Sequence, residues 1–267
     1  MPYLRISEFF TRTSCLRKIA LLFLVVTLSS VASAQNNQVR SPSDVVRDFY
    51  KAMREHRFKD AWGMTIYKPA VEGLTAEEME DLRATFEERA SQIPEQVEIT
   101  GEQVTGNTAT VFVKMPSIEA SPQITSQPAT LILSNGVWII GTEADAAVVR
   151  KAGRRYFLDA LINENQGVAE DLLKSLVGLQ AIYAQQHNGA FGDLPALVKA
   201  NLLSNDAGDP KATGYNIRVV VGTDGKTFVA TAEPARYGHT GKLSYWMDQT
   251  GNLKSLDNAG KPMAPPR

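Results

Sequence analysis

Twice along this chain of 267 residues a helical apolar period gives way to strict alternation, and that double switch constrains the fold more than any other feature. The first helical stretch, SDVVRDFYKAMREHRFKDAW, carries Val45, Val46, Phe49 and Met53 on one face, with Ser43 or Asp44 placed to cap it. Phe58, Ala61 and Trp62 form a short second helix. TAEEMEDLRATFEERASQI opens on a capping-box pattern at Thr75 and buries Met79, Leu82, Phe86 and Ile93. After Pro94 the period becomes two. VEITGEQVTGNTATVFVKM turns at Gly106-Asn107 and PATLILSNGVWIIGTE at Asn135-Gly136, with Val111 and Val113 on one face and Leu131 and Leu133 on another. Helices packed on a curved antiparallel sheet are expected over residues 42–143.

The pattern then repeats. Residues 144–166 read as an amphipathic linker helix, with apolar Phe157, Leu158, Leu161 and Ile162 among Arg150, Lys151, Arg154 and Arg155; Gly153 and Gly167 are the expected breaks. Such a basic helix suits either an anionic membrane surface or a docking role between domains, and the four apolar residues are the candidates for docking. From Val168 a second helix buries Ala169, Leu172, Leu173, Leu176, Leu179, Ala181 and Tyr183 and closes at His187-Asn188-Gly189. DLPALVKANLL makes a short helical loop. YNIRVVVG, TFVATAEP and LSYWMDQTGNLKSL then alternate, with turns at Asp224-Gly225 and Thr250-Gly251-Asn252. The expected class is α+β with two small domains, the second a long helix on an antiparallel meander over residues 167–257, followed by a flexible tail from 258 to 267.

Composition excludes several functions. Arg5, Arg12, Arg17 and Lys18 precede the apolar run Ile19 to Ala34, which ends in the small residues Ala32 and Ala34, the layout of a secretory signal peptide cleaved after Ala34. Cleavage would remove four of the 28 basic and one of the 29 acidic residues, leaving a net charge of −4 and no electrostatic footprint for nucleic acid. It would also remove Cys15, the sole cysteine, and with it disulfides, thiolate metal sites and a cysteine nucleophile. A periplasmic or secreted product with no stable membrane anchor is expected.

Little in the chain points to catalysis. The carboxylates of the first half, from Asp44 and Asp48 to Glu87 and Glu88, alternate with Arg and Lys as on a solvated face. His56 ends a helix, where a cation is favoured, and His187 and His239 have no partner at a useful spacing. Asp206, Asp209 and Asp248 lie in loops, where turn chemistry accounts for them as well as calcium does, so no metal and no cofactor are expected. Phe49, Tyr50, Met53, Trp62, Met64, Tyr67 and Trp138 are the candidate pocket lining, with plain core as the competing assignment.

Two resemblances follow. DVVRDFYKAMREHRFKDAWGM, a further helix and two hairpins resemble the nuclear-transport-factor-two-like, or cystatin-like, cone fold over Pro42 to Glu143. That resemblance implies a sheet wrapped round a helix, whose cavity is an active site in some members and a plugged or ligand-holding pocket in others. IYAQQHNGAFGDLPAL and LSYWMDQTGNLK are similar to the soluble domain of type IV pilins and pseudopilins over Gly167 to Leu256, without the Gly-Phe-Thr-x-x-x-Glu processing site and with the charged stretch around Arg154-Arg155 where an apolar half-helix would stand. Together they imply a non-enzymatic, exported interaction protein, with an envelope or secretion-associated protein partner or a small apolar ligand. A cone-fold isomerase or hydrolase, with the pilin-like part as scaffold, is the alternative.

Overall fold

The computed structural model describes residues 40–116 and 124–264, so the signal segment, its Ala34 cleavage site and Cys15 lie outside the described residues. The architecture is mixed α and β, with two antiparallel four-stranded sheets and one long helix. The chain divides into two compact units: the first comprises the described residues up to Gly73 and Thr85–Gly153, the second Leu74–Ala84 and everything from Arg154 on.

In the first unit α1 (Pro42–Arg54) is capped not at Ser43 or Asp44 but at Ser41, whose hydroxyl accepts from Asp44 N at 3.1 Å, because Pro42 fits the first helical position, where no N–H is needed. Ser43 instead donates its backbone N–H to Glu102 Oε2 at 2.8 Å. Helix α2 (Phe58–Gly63) follows, then a helical turn, α3 (Lys68–Glu72), that the periodicity did not announce. Next comes α4 (Ala76–Asp81), which opens with the expected capping box: Thr75 Oγ1 accepts from Glu78 N and Glu78 Oε2 accepts from Thr75 N. The single helix expected here is broken at Leu82, and α5 (Arg83–Ser91) resumes on the far side. The chain passes from the second unit back to the first just after this break, between Ala84 and Thr85.

Strands β1 (Glu98–Thr105), β2 (Thr108–Pro116), β3 (Ile124–Ser134) and β4 (Val137–Ile140) pair in sequence order. The register sets Val111 against Ala129 and Ala109 against Leu131, so Val111, Val113, Leu131 and Leu133 all face one core rather than two. Val45 and Val46 of α1 join that core with Trp138 and Ile140. Helix α6 (Glu143–Ala152), capped by Thr142, completes the unit with Ala146 and Val149 buried. The first unit therefore extends ten residues past the expected boundary at 143.

The second unit is built on α7 (Arg155–Gln186), which runs unbroken through Gly167; only the expected break at Gly153, with φ of 53°, is realised. A separate linker helix over 144–166 is thus replaced by α6 in one unit and the first turns of α7 in the other. Helices α8 (Leu194–Lys199) and α9 (Pro210–Thr213) precede β5 (Tyr215–Val221), β6 (Phe228–Pro234), β7 (Leu243–Asp248) and β8 (Leu253–Asp257), again paired in sequence order. Ala169, Leu173 and Leu176 of α7 pack with Tyr215, Ile217, Val219, Phe228, Ala230, Tyr245 and Met247. Ala181, expected on that face, is exposed, and Gln180 is buried in its place. The stretch expected to be a free tail closes into a turn, with Asn258 Nδ2 donating to the carbonyls of Lys261 and Pro262. No helix among the described residues is long and apolar enough to cross a membrane.

Candidate functional site

The aromatic set of the first unit is packed into its interior. Met53, Trp62 and Trp138 are buried, while Phe49, Tyr50 and Met64 are half-buried against the valine and leucine core. Phe49 meets Tyr50 at 5.2 Å and Trp62 at 5.8 Å between ring centroids, and Trp62 meets Tyr67 edge-on at 5.5 Å. Burial pushes the Tyr50 phenol up to about 12, so it stays neutral at any physiological pH. Phe49, Tyr50, Met64 and Trp138 pack with the sheet, and the ring pairs that join Phe49, Tyr50, Trp62 and Tyr67 are edge-on, as in an aromatic core.

Of the four residues expected to dock, Leu158 and Ile162 are buried and Phe157 and Leu161 half-buried, all on the first turns of α7 and within the second unit. The same turns carry polar ties invisible to an apolar period. Asn165 Nδ2 donates to Thr240 O at 2.9 Å, and Gln166 Oε1 accepts from the backbone of Lys242 and Leu243 at 3.1 and 3.2 Å. Arg155 pairs with Asp159 and reaches Gly238 O. Residues 238–243 are thereby held along the helix.

That loop brings together an ionic cluster that the sequence separates by about 160 positions. Arg236 bonds Glu77 Oε1 at 2.6 Å and also pairs with Asp81, while His239 Nδ1 lies 3.0 Å from Asp81 Oδ2; Asp81 is 9 % exposed at its side chain. Arg154 stands 3.8 Å from Glu78, whose carboxyl is held below the usual carboxylate range by its bond to the Thr75 backbone and, after the opposing effect of burial, by that arginine. All these residues belong to the second unit. His239, expected to stand alone, thus has a carboxylate partner. The pair orients an imidazole as a base would be oriented, yet the hydroxyls beside it in sequence are occupied: Tyr237 donates to Asp257, and Thr240 bonds the Arg236 backbone. The cluster fastens α4 to the loop after β6.

Two of the three loop aspartates serve turns through their side chains. Asp209 caps α9, and Asp248 Oδ1 accepts from Thr250 N, Thr250 Oγ1 and Asn252 N, the first hydroxyl bond holding its carboxyl low. Among the described residues no group of three or more His, Cys, Asp or Glu side chains is gathered as a metal would need.

A concavity of about 490 Å³ opens beside β5 in the second unit, and no sequence signal marked it. One wall is the run Val219–Val221; the other is Phe191, Gly192, Asp193 and Ala196, with Tyr183 of α7 at the base. The second wall is fixed by three devices. Asn188 and Gly189 take left-handed backbone to end α7, Phe191 N bonds Gly225 O at 2.9 Å, and the wholly buried Gln180 clamps Gly192 with Nε2 to its carbonyl at 2.6 Å and Oε1 from its amide at 2.9 Å. Gly192 lies close to its neighbours: a Cβ there would meet the Tyr183 ring at 3.0 Å and Ala196 at 3.2 Å, so one of them would have to give by a few tenths of an ångström. Tyr183 is itself pinned by a stack on His187, centroids 3.7 Å apart.

The face of the sheet turned away from α7 is mixed. Val220 is 66 % exposed and Arg218 reaches out at 64 %, 3.3 Å from Glu233. Glu233, Ser244 and Trp246 are buried on that same face, and Glu233 Oε2, Ser244 Oγ and Trp246 Nε1 have no hydrogen-bond partner among the described residues. Burial pushes the Glu233 carboxyl up, against the pull of Arg218. Comparison with family models, with curated proteins and with solved structures returns no match for this chain.

Proposed function

We propose that this chain is an exported, non-enzymatic interaction protein of the cell envelope, a cone-like unit joined to a pilin-like one, and that it grips its partner at the groove beside β5. The observation that carries the reading is the contrast between the two units. Most aromatic residues of the first are taken up in packing, whereas the second offers an open concavity of mixed polar and apolar lining next to a strand that pairs, among the described residues, with β6 alone. Interaction sites combine apolar side chains with exposed polar groups in this way. The cone-like reading of the first unit is supported by helices on a four-stranded antiparallel sheet, and the pilin-like reading of the second by a 32-residue helix on an antiparallel meander. The alternative, a cone-fold isomerase or hydrolase, draws nothing from the His239–Asp81 pair, which belongs to the second unit and has no serine, threonine or tyrosine hydroxyl left over beside it in sequence.

The test is site-specific photocrosslinking in the producing cell. A photoreactive side chain at Ala196 or Val220 is expected to yield an adduct of discrete mass, while the same group at Val137 or Val148, exposed apolar positions of the first unit at 61 % and 59 %, yields none. Equal labelling at all four positions would overturn the reading.

A further inference from the structure

The β5 edge is open in a defined pattern. The bonds that close the two ends of the β5–β6 ladder, Ala235 N to Gly214 O at 3.0 Å and Gly222 N to Thr227 O at 2.8 Å, set the even-numbered residues of β5 to exchange hydrogen bonds with β6. The backbone N–H and C=O of Ile217, Val219 and Val221 therefore face the other way. At the start of the strand the outward groups are already satisfied, since Thr213 Oγ1 accepts from Tyr215 N at 3.2 Å and donates to Tyr215 O at 2.9 Å. Past that cover, β5 pairs among the described residues with β6 alone, and the groove lies along Val219–Val221. Natural sheets usually blunt such an edge with charged side chains, a proline, a bulge or a covering element, and Arg218 is the one charge on this strand. Here the run is Ile-Arg-Val-Val-Val, and its far side is a concavity.

We infer, resting on the reading of this groove as the docking site, that its occupant is an extended protein segment that adds as an antiparallel fifth strand to β5. The chemistry of the segment follows from the side chains beside the edge. An added strand lies about 4.8 Å from β5 and alternates its side chains between the two faces. The residue opposite Val219 points to the α7 side, into the space bounded by Tyr183, Phe191 and Ala196, and is apolar. The residue before it lies opposite Val220, which is exposed, and is apolar too. The residue after it lies opposite Arg218, a largely exposed guanidinium held by one 3.3 Å contact, and is acidic, since opposite charges across a ladder attract and like ones repel. The recognition sequence is apolar-apolar-acidic, read from N to C terminus. A second copy of this chain fits less well, because pairing β5 with β5 would bring the Phe191–Ala196 wall of each copy to the same side of the joined sheet.

The experiment uses the mature chain and a synthetic capped heptapeptide, Thr-Thr-Val-Leu-Glu-Val-Thr, with amide exchange read residue by residue. Expected are slowed exchange at the Val219 and Val221 amides, by ~tenfold or more at saturation, and ~tenfold weaker binding when Lys replaces the peptide Glu or when Arg218 becomes Glu. Arg218→Glu with the Lys peptide restores binding. Peptide that binds the groove without protecting those two amides would overturn strand addition and leave the groove reading intact. Absence of peptide binding, in a chain whose Ala196 photocrosslink still forms in the cell, would also overturn the inference. So would concentration-dependent dimerisation that protects the same amides without peptide, which would assign the edge to a second copy. Loss of both the crosslink and the peptide binding would remove the groove reading itself.

Discussion

Replacing Gln180 with Leu removes the clamp that shapes the groove while nearly conserving side-chain volume. Gln180 is wholly buried, and its carboxamide satisfies both polar groups of Gly192, at 2.6 and 2.9 Å. Leucine strands a buried amide and a buried carbonyl, each costing about 1–3 kcal/mol. The more favourable burial of an all-carbon side chain offsets part of that, leaving a loss of about 2–4 kcal/mol. For a chain of this size the second unit should melt roughly 5–15 °C lower, read by calorimetry or by circular dichroism. The substitution Gln180→Glu discriminates the mechanism. At neutral pH it keeps the acceptor for Gly192 N but sets a buried carboxylate against Gly192 O, and stability should return as the pH falls and the carboxyl regains a proton to donate. A Gln180→Leu chain within ~0.5 kcal/mol of the parent would refute the reasoning, because it would mean that water or a shifted loop satisfies Gly192 at no cost.

Three further outcomes are expected. Glu233 has a carboxyl raised by burial, so the folded chain binds that proton more tightly than the unfolded one; its contribution favours folding increasingly as pH falls from above the folded value toward the ordinary 4.5, and Glu233→Gln should flatten that part of the stability-pH curve. Arg236→Ala deprives nearly buried Asp81 of its arginine partner and Glu77 of its bond, for a loss of about 1–3 kcal/mol in denaturant titration, whereas Asp81→Asn with Arg236→Ala should cost less than the two single changes summed. N-terminal sequencing of exported material should begin at Gln35, since Ala32 and Ala34 offer the small side chains that signal cleavage requires.

Where the sequence carried a local physical code, it was legible. The switch from helical to alternating period located both sheets, and Asn135-Gly136, Asp224-Gly225 and Thr250-Gly251-Asn252 turn where their backbone preferences require. The Thr75 capping box and the His187-Asn188-Gly189 helix end are equally local. What escaped was tertiary. Nothing near Glu77 or Asp81 signals that their partners are Arg236 and His239, and so the membership of Leu74–Ala84 in the second unit could not be read. Gly167 looked like a break because glycine weakens a helix by about 1 kcal/mol, but Gln166 and Asn165 fasten α7 there to residues 240–243. The groove was hidden for the same reason: Gln180 continues the buried stripe of Ala169, Leu173 and Leu176 at helical spacing, but only the fold reveals that its carboxamide is buried against Gly192.

The groove beside β5 as a docking site is tested most directly by titrating the Thr-Thr-Val-Leu-Glu-Val-Thr peptide calorimetrically into the parent chain and into Ala196→Arg, whose guanidinium would fill the space between Tyr183, Phe191 and Val219. Saturable binding to the parent that falls ~tenfold or more in Ala196→Arg, with both chains melting alike, is the predicted result. Equal affinity for the two chains would contradict the account.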